Sequence, residues 1–225
     1  MNWIAIVVTI GLTLDVAACA DPTQDKPKAT VSDPVVTASA SSGAASVPAL
    51  AMPPDASAPN GSGVDVFSNA DSKIGFVAGR IGGTHEGSFD TFTGTFSLVE
   101  NDPTKSSLTI DVQAASVEAD EPWLRERLKS AAGEFPKVSF QSTAITKGGD
   151  KGASNTVTGN FQLHGVTKSI TFPATISVSG GSVSMDSEFS INRRDFGMIY
   201  PSKPDALIKN DVLIKLTLRA APSKG

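Results

Sequence analysis

One cysteine in 225 residues excludes a disulfide within the chain, and a lone free thiol in an oxidising compartment is unusual. Histidine is as scarce: only His85 and His164 are present, and neither sits among carboxylates at metal-ligand spacing. No Gly-x-Ser-x-Gly elbow exists to expose a nucleophilic serine, and Cys19 lies at the end of an apolar leader. The formal charge of −4 lacks the basic surplus that a nucleic-acid partner would demand. These absences leave no metal or cofactor in the expectation and argue for a non-enzymatic role.

The chain opens with an apolar run, Met1 to Leu14, too short to cross a bilayer but suited to a signal-peptide core. It ends at Val16-Ala17-Ala18-Cys19, which resembles the lipobox of bacterial lipoproteins, where a cysteine is lipidated and becomes the mature N-terminus. That resemblance implies a signal peptide over 1–18, a lipid anchor on Cys19 and a place in the bacterial cell envelope, periplasm-facing or at the surface. The other reading is an ordinary secretory signal with an incidental cysteine. Residues 19–63 then hold half of the chain's 14 prolines among many Ala and Ser residues, without periodic apolar pattern. Such a segment buries too little to offset its ordering entropy and is expected to be a disordered tether, long enough to let the following domain stand clear of a membrane.

From Val64 to Ala220 apolar and polar residues alternate at a period of two, which places the apolar side chains of each strand on one face. The alternation is plainest in Thr156–His164, Thr167–Ser179, Ser182–Ile191 and Lys209–Ala220. It is weaker in Lys73–Ile81, Ser88–Glu100, Ser107–Gln113 and Lys137–Thr146. With a short strand over Val64–Ser68 the total is eight or nine, the number that closes a small barrel. Gly180-Gly181 reads as a tight hairpin turn, and the Gly82–Gly87 run around His85 as a mouth loop or turn. One stretch has helical spacing: Asp120 as cap, Pro122 in the first turn, Leu124, Leu128 and Ala131 or Ala132 on one face, Arg125, Arg127 and Lys129 outward, and Gly133 as the stop. This helix is expected across a barrel mouth or flank, carrying Trp123.

Several strings, in this order and spacing, resemble the YceI-like family of bacterial envelope proteins: Ser72-Lys73-Ile74-Gly75-Phe76, Phe92-Thr93-Gly94, Phe135-Pro136-Lys137-Val138-Ser139-Phe140, Leu163-His164-Gly165-Val166-Thr167-Lys168 and Ile191-Asn192-Arg193-Arg194-Asp195-Phe196-Gly197. The resemblance covers 64–220 and implies an all-β, extended lipocalin-like antiparallel barrel that binds polyisoprenoid or similar amphiphilic lipids. Three features depart from the family pattern: Ser68-Asn69-Ala70-Asp71 where many relatives have a histidine just before the serine, the Tyr200 to Asp205 run in place of a small-residue loop, and a central helix region with fewer acidic residues. The resemblance therefore names a class of ligand, not one ligand.

The residues expected to face the barrel interior and meet an apolar tail are Phe76, Phe92, Phe96, Ile110, Phe140, Phe161, Leu163, Phe172, Ile176, Met185, Phe189, Ile214 and Leu216. Pattern alone does not separate a hollow interior from one filled by these same side chains. A filled barrel would make the protein a structural or stress-related interaction module of the envelope. Arg193, Arg194 and Lys203 are candidate contacts to a diphosphate or carboxylate head group. Against that, Asp195 pairing with Arg193 or capping a turn is the ordinary reading of such a cluster, and is favoured. His164 suits a turn better than a general base, although His164 or Asp195 acting on a lipid head group defines an enzymatic third reading. A long isoprenoid, isoprenoid quinone or fatty-acid-like lipid and a membrane are thus the expected partners; a homodimer stays open.

Overall fold

The computed structural model describes residues 21–35, 62–199 and 208–222. In chain order its elements are β1 (Thr30–Ser32), β2 (Ser62–Ser68), β3 (Lys73–Arg80), β4 (Gly83–Phe89), β5 (Phe92–Val99), β6 (Asp102–Gln113), β7 (Val117–Ala119), α1 (Pro122–Ala132), β8 (Lys137–Lys147), β9 (Asn155–Leu163), β10 (Val166–Ser179), β11 (Ser182–Asn192) and β12 (Ile208–Pro222). All strand pairs are antiparallel, and eight strands close a ring in the order β2, β5, β6, β8, β9, β10, β11, β12 and back to β2. The fold is an all-β barrel with one helix.

Tight turns set the register of the ring. His164 and Gly165 both take positive φ, 53° and 75°, so two residues suffice to reverse β9 into β10, with Leu163 paired to Val166. Gly180 and Gly181 do the same between β10 and β11, as the sequence predicts.

The ring is completed differently at its two ends. The edge of β12 that faces away from β11 pairs with β2 only through Ala221 and Pro222, and along Ile208 to Thr217 it pairs with β3 instead. β3 continues to β4, and β4 to β7, so the sheet branches at β12 and this branch forms one wall at that end of the barrel. Helix α1 connects β7 to β8 beside that sheet.

Two local expectations are corrected. His85 lies in β4, buried and opposite Ala78 of β3, rather than in a loop. The cap of α1 is Glu121, which makes no side-chain capping bond; Pro122 occupies the first turn and Gly133 ends the helix. Asp120 is instead turned toward His85, with both carboxylate oxygens 3.3 Å from Nδ1, and accepts the Glu86 amide at 3.2 Å. Arg125 and Lys129, on the outer side of the helix as expected, reach Glu118 of β7 at 3.2 and 2.8 Å. Lys129 foremost, with Arg125, holds the Glu118 carboxyl below its ordinary value, and the helix is thereby fastened to the sheet.

The largest departure concerns the tether. Residues 21–35 lie against the barrel, where β10 and β11 diverge beyond the Thr175–Asp186 pair. Ala29 donates its amide to the Ser190 carbonyl and Ser190 returns its own to Pro27, both at 2.8 Å, while β1 pairs with β10 from Ser169 to Thr171. Ala29 is buried in the core, and Val31 packs on it. Ion pairs Lys26–Glu188, Lys28–Asp211, Lys168–Asp33 and Lys209–Asp21 run along the strap. Composition concealed this because the strap uses main-chain pairing to fill a gap, which requires few apolar side chains.

Candidate functional site

The interior is packed at one end and hollow at the other. In the packed end Phe67, Phe96, Leu98, Leu108, Ile145, Val157, Ala174, Ile176, Met185 and Leu218 are all buried in one cluster. The boundary can be read on each strand. Along β12, Val212, Ile214 and Leu216 border the cavity, whereas Leu218 and Ala220 are packed; along β10, Phe172 borders it and Ala174 does not. The alternation of period two continues through both ends, so it carries no mark of where packing stops.

The cavity has a volume of about 710 Å³, within the range of pockets that enclose small ligands. Phe172 and Phe189, stacked with centroids 4.2 Å apart, form part of its floor, and Phe140 lies 5.5 Å from Phe172. Helix α1 contributes Leu124, Leu128, Ala131 and Ala132, its apolar face, as one wall. Polar groups gather toward the rim: Arg80, Glu121 and Arg127 border the cavity and are exposed. Exposed Ile81 and Trp123 stand at the same opening, and the His85 ring meets Trp123 edge-on with centroids 5.5 Å apart.

Of the interior positions expected from the sequence, Phe76, Ile110, Phe140, Phe161, Leu163, Phe172, Phe189, Ile214 and Leu216 border the cavity. Phe92, Phe96, Ile176 and Met185 also point inward but are buried in the packing outside its lining. For Phe96, Ile176 and Met185 the physical reason is depth, since they sit where opposing side chains already meet; Phe92, paired with the lining residue Val112, is level with the cavity but buried beside its lining. Sequence reasoning passed over Phe135, Ile170, Ile191, Met198 and Ile208, which also line it. For Ile191 and Ile170 the alternation was a sufficient signal; for Phe135 and Met198, in irregular segments, none existed.

Arg193 borders the cavity but is itself buried among main-chain acceptors. Its Nε donates to the Lys209 carbonyl at 3.3 Å, Nη1 to the Met198 carbonyl, and Nη2 to the Ile208 carbonyl at 3.5 Å and Asn210 Oδ1 at 3.4 Å. It stitches the end of β11 to the start of β12. Arg194 is exposed and donates to Asn210 Oδ1 at 2.8 Å. The turn is capped not by Asp195 but by Asn192, whose side chain accepts from the Arg194 amide. Asp195 is exposed and outside the lining. His164 lies at the lining with its ring 4.2 Å from that of Phe135. Lys203 and Cys19 fall outside the described residues, and among those described no group of three His, Cys, Asp or Glu side chains is placed to hold a metal.

Comparison with known proteins gives this architecture a place. A "UPF0312 protein" of Pseudomonas putida is 29% identical over 139 residues, 57% of this chain and 71% of that one. Protein YceI of Salmonella newport is 30% identical over 122 residues, 50% of this chain and 62% of that one. Among solved structures, Burkholderia cenocepacia BcnA superposes with a TM-score of 0.62 at 22% identity, over 69% of this chain and 99% of that one. A polyisoprenoid-binding domain from Saccharophagus degradans, described as implicated in plant cell wall breakdown, gives 0.55 at 13% identity, over 72% and 99%. At such identities the structural likeness speaks for the fold alone. Residues 66–220 match the YceI-like domain over more than half of the sequence, and the chain belongs to the YceI-like family.

Proposed function

We propose that this protein holds one long apolar ligand, a polyisoprenoid, isoprenoid quinone or fatty-acid-like lipid, in the hollow end of its barrel, storing or carrying it in the bacterial cell envelope. The observation that carries this reading is the apolar cavity of about 710 Å³, walled by phenylalanine and aliphatic side chains and open at a polar rim. Moving a hydrocarbon tail from water into such walls is favourable by about 25 cal/mol per Å² of apolar surface removed. The polyisoprenoid-binding description of the Saccharophagus degradans domain supports the same ligand class. Lipidation of Cys19, suggested by the residues before it, would place the barrel at a membrane.

A binder is favoured over an enzyme acting on a head group. His164 packs against Phe135, and Asp195 does not border the cavity, so among the described residues neither candidate base is arranged with a partner to activate it. The filled-barrel alternative describes the packed end well and the cavity not at all. The test is organic extraction of the purified protein followed by mass spectrometry, with uptake of added polyisoprenol measured in parallel. A co-purifying or absorbed long-chain lipid is expected. Repeated absence of both would refute the proposal.

A further inference from the structure

We infer that the N-terminal strap holds the open rim of the cavity against the membrane that carries the lipid anchor, rather than letting the barrel stand away from it. The inference rests on the binding and anchoring reading above. Asp21 Oδ2 is 2.7 Å from Lys209 Nζ, and the Lys209 side chain lies over Gly79, a residue of the cavity lining. The adjoining Ile208 and Arg80 are paired across β12 and β3, and both border the cavity. The described chain therefore begins at the rim. Cys19 lies two residues before Asp21, and two residues reach at most about 7 Å.

The surface beside that point fits a phospholipid bilayer. Ile81, Ile199 and Trp123 are 69%, 58% and 56% exposed. Ile81 follows Arg80, Ile199 follows Met198 of the lining, and Trp123 borders the opening itself. Exposed Arg80, Arg127 and Arg194 accompany them, beside the exposed carboxylates of Asp120, Glu121 and Asp195. Aliphatic side chains and a tryptophan are residues that settle at the lipid–water interface, and the arginines beside them are placed to meet head-group phosphates. A rim so placed would let an apolar ligand pass between bilayer and barrel without crossing bulk water.

The test uses the protein expressed at full length and recovered from membranes in its processed form. Processing at Cys19 removes Trp3, leaving Trp123 as the one tryptophan. The protein is placed in phosphatidylethanolamine–phosphatidylglycerol vesicles with and without brominated acyl chains. Bromolipid is expected to lower Trp123 emission about twofold or more, and a flexible Gly/Ser insert of about 20 residues between Ala20 and Asp21 to remove most of that quenching. Equal quenching with and without the insert, no quenching in either, burial of Trp123 in a protein dimer, or a chain recovered with Cys19 unmodified would each overturn the inference. Polyisoprenol uptake from detergent-free solution is measured on the same samples. Uptake without quenching removes this orientation and leaves the binding reading standing; insert-sensitive quenching without uptake does the reverse.

Discussion

Phe172 of β10 and Phe189 of β11 stack nearly parallel, at an interplanar angle of 14°, although no hydrogen-bonded register joins their strands at this level. The strands separate here, the strap fills the outside of the gap, and the two rings close the inside. Replacing Phe189 by Ala should cost about 3–5 kcal/mol, as for other buried phenylalanines, and extend the cavity toward the packed end. Urea unfolding reads the first effect and competition among isoprenols of increasing length reads the second. A stability loss with unchanged length preference would show that these rings do not set the depth.

Gly94 of β5 lies under the ring of Phe67 from β2, where an added Cβ would stand 2.1 Å from Cζ and 2.5 Å from the Thr109 carbonyl oxygen. The ring and the neighbouring main chain occupy the space of a side chain. Gly94→Ala should destabilise by about 1–3 kcal/mol, the range for overpacking. Trimming the ring with Phe67→Leu should reduce that penalty, so a double-mutant cycle by chemical denaturation should give a favourable coupling. Additive effects would mean that the carbonyl alone is the obstacle.

Much of this architecture was legible because strand alternation is a local signal. Val157, Phe172, Met185 and Leu218 each announce an inward face, and the observed registers place them inside. Depth is not local. Leu216 and Leu218 are identical in the pattern, yet one borders empty space and the other is packed, because the difference lies in what projects from opposite strands. Arg193 shows the same limit: its charge suggested a ligand contact, while carbonyls brought from Met198, Ile208 and Lys209 surround it. The strap was hidden for a further reason, since main-chain pairing leaves no side-chain period to read.

Asp65 of β2 is 1% exposed, and its Oδ2 is the one buried side-chain polar atom without a hydrogen-bond partner among the described residues. Burial pushes its carboxyl above the ordinary value of 3.8. Because the folded-state value is the higher one, the contribution of this group to stability is fully present below about pH 4 and is lost as pH rises through the raised value. Asp65→Asn removes that titration. The variant should exceed the parent in stability by roughly 1 kcal/mol at neutral pH and approach it on acidification, measured by urea midpoints across pH. A constant difference at every pH would assign the effect to packing instead.

Asp21 responds to pH in the opposite sense. The Lys209 ammonium foremost, then the amide and hydroxyl of Thr23, lower its carboxyl from 3.8 to about 2. A depressed folded-state value gives stabilisation that is present above 3.8 and lost as pH falls toward 2. The strap should therefore loosen at its rim end in acid while the barrel, closed by main-chain ladders, persists. At neutral pH, Asp21→Asn should imitate that loosening and raise the rate of tryptic cleavage after Lys28 roughly threefold, whereas Lys26 precedes Pro27 and remains a poor site. Hydrogen exchange at the Ala29 and Ser190 amides, corrected for intrinsic rates, should show reduced protection in the same variant. Unchanged cleavage and unchanged protection would mean that β1 and the Lys28–Asp211 pair hold the strap without the rim contact, and that acid does not release the chain leading to Cys19.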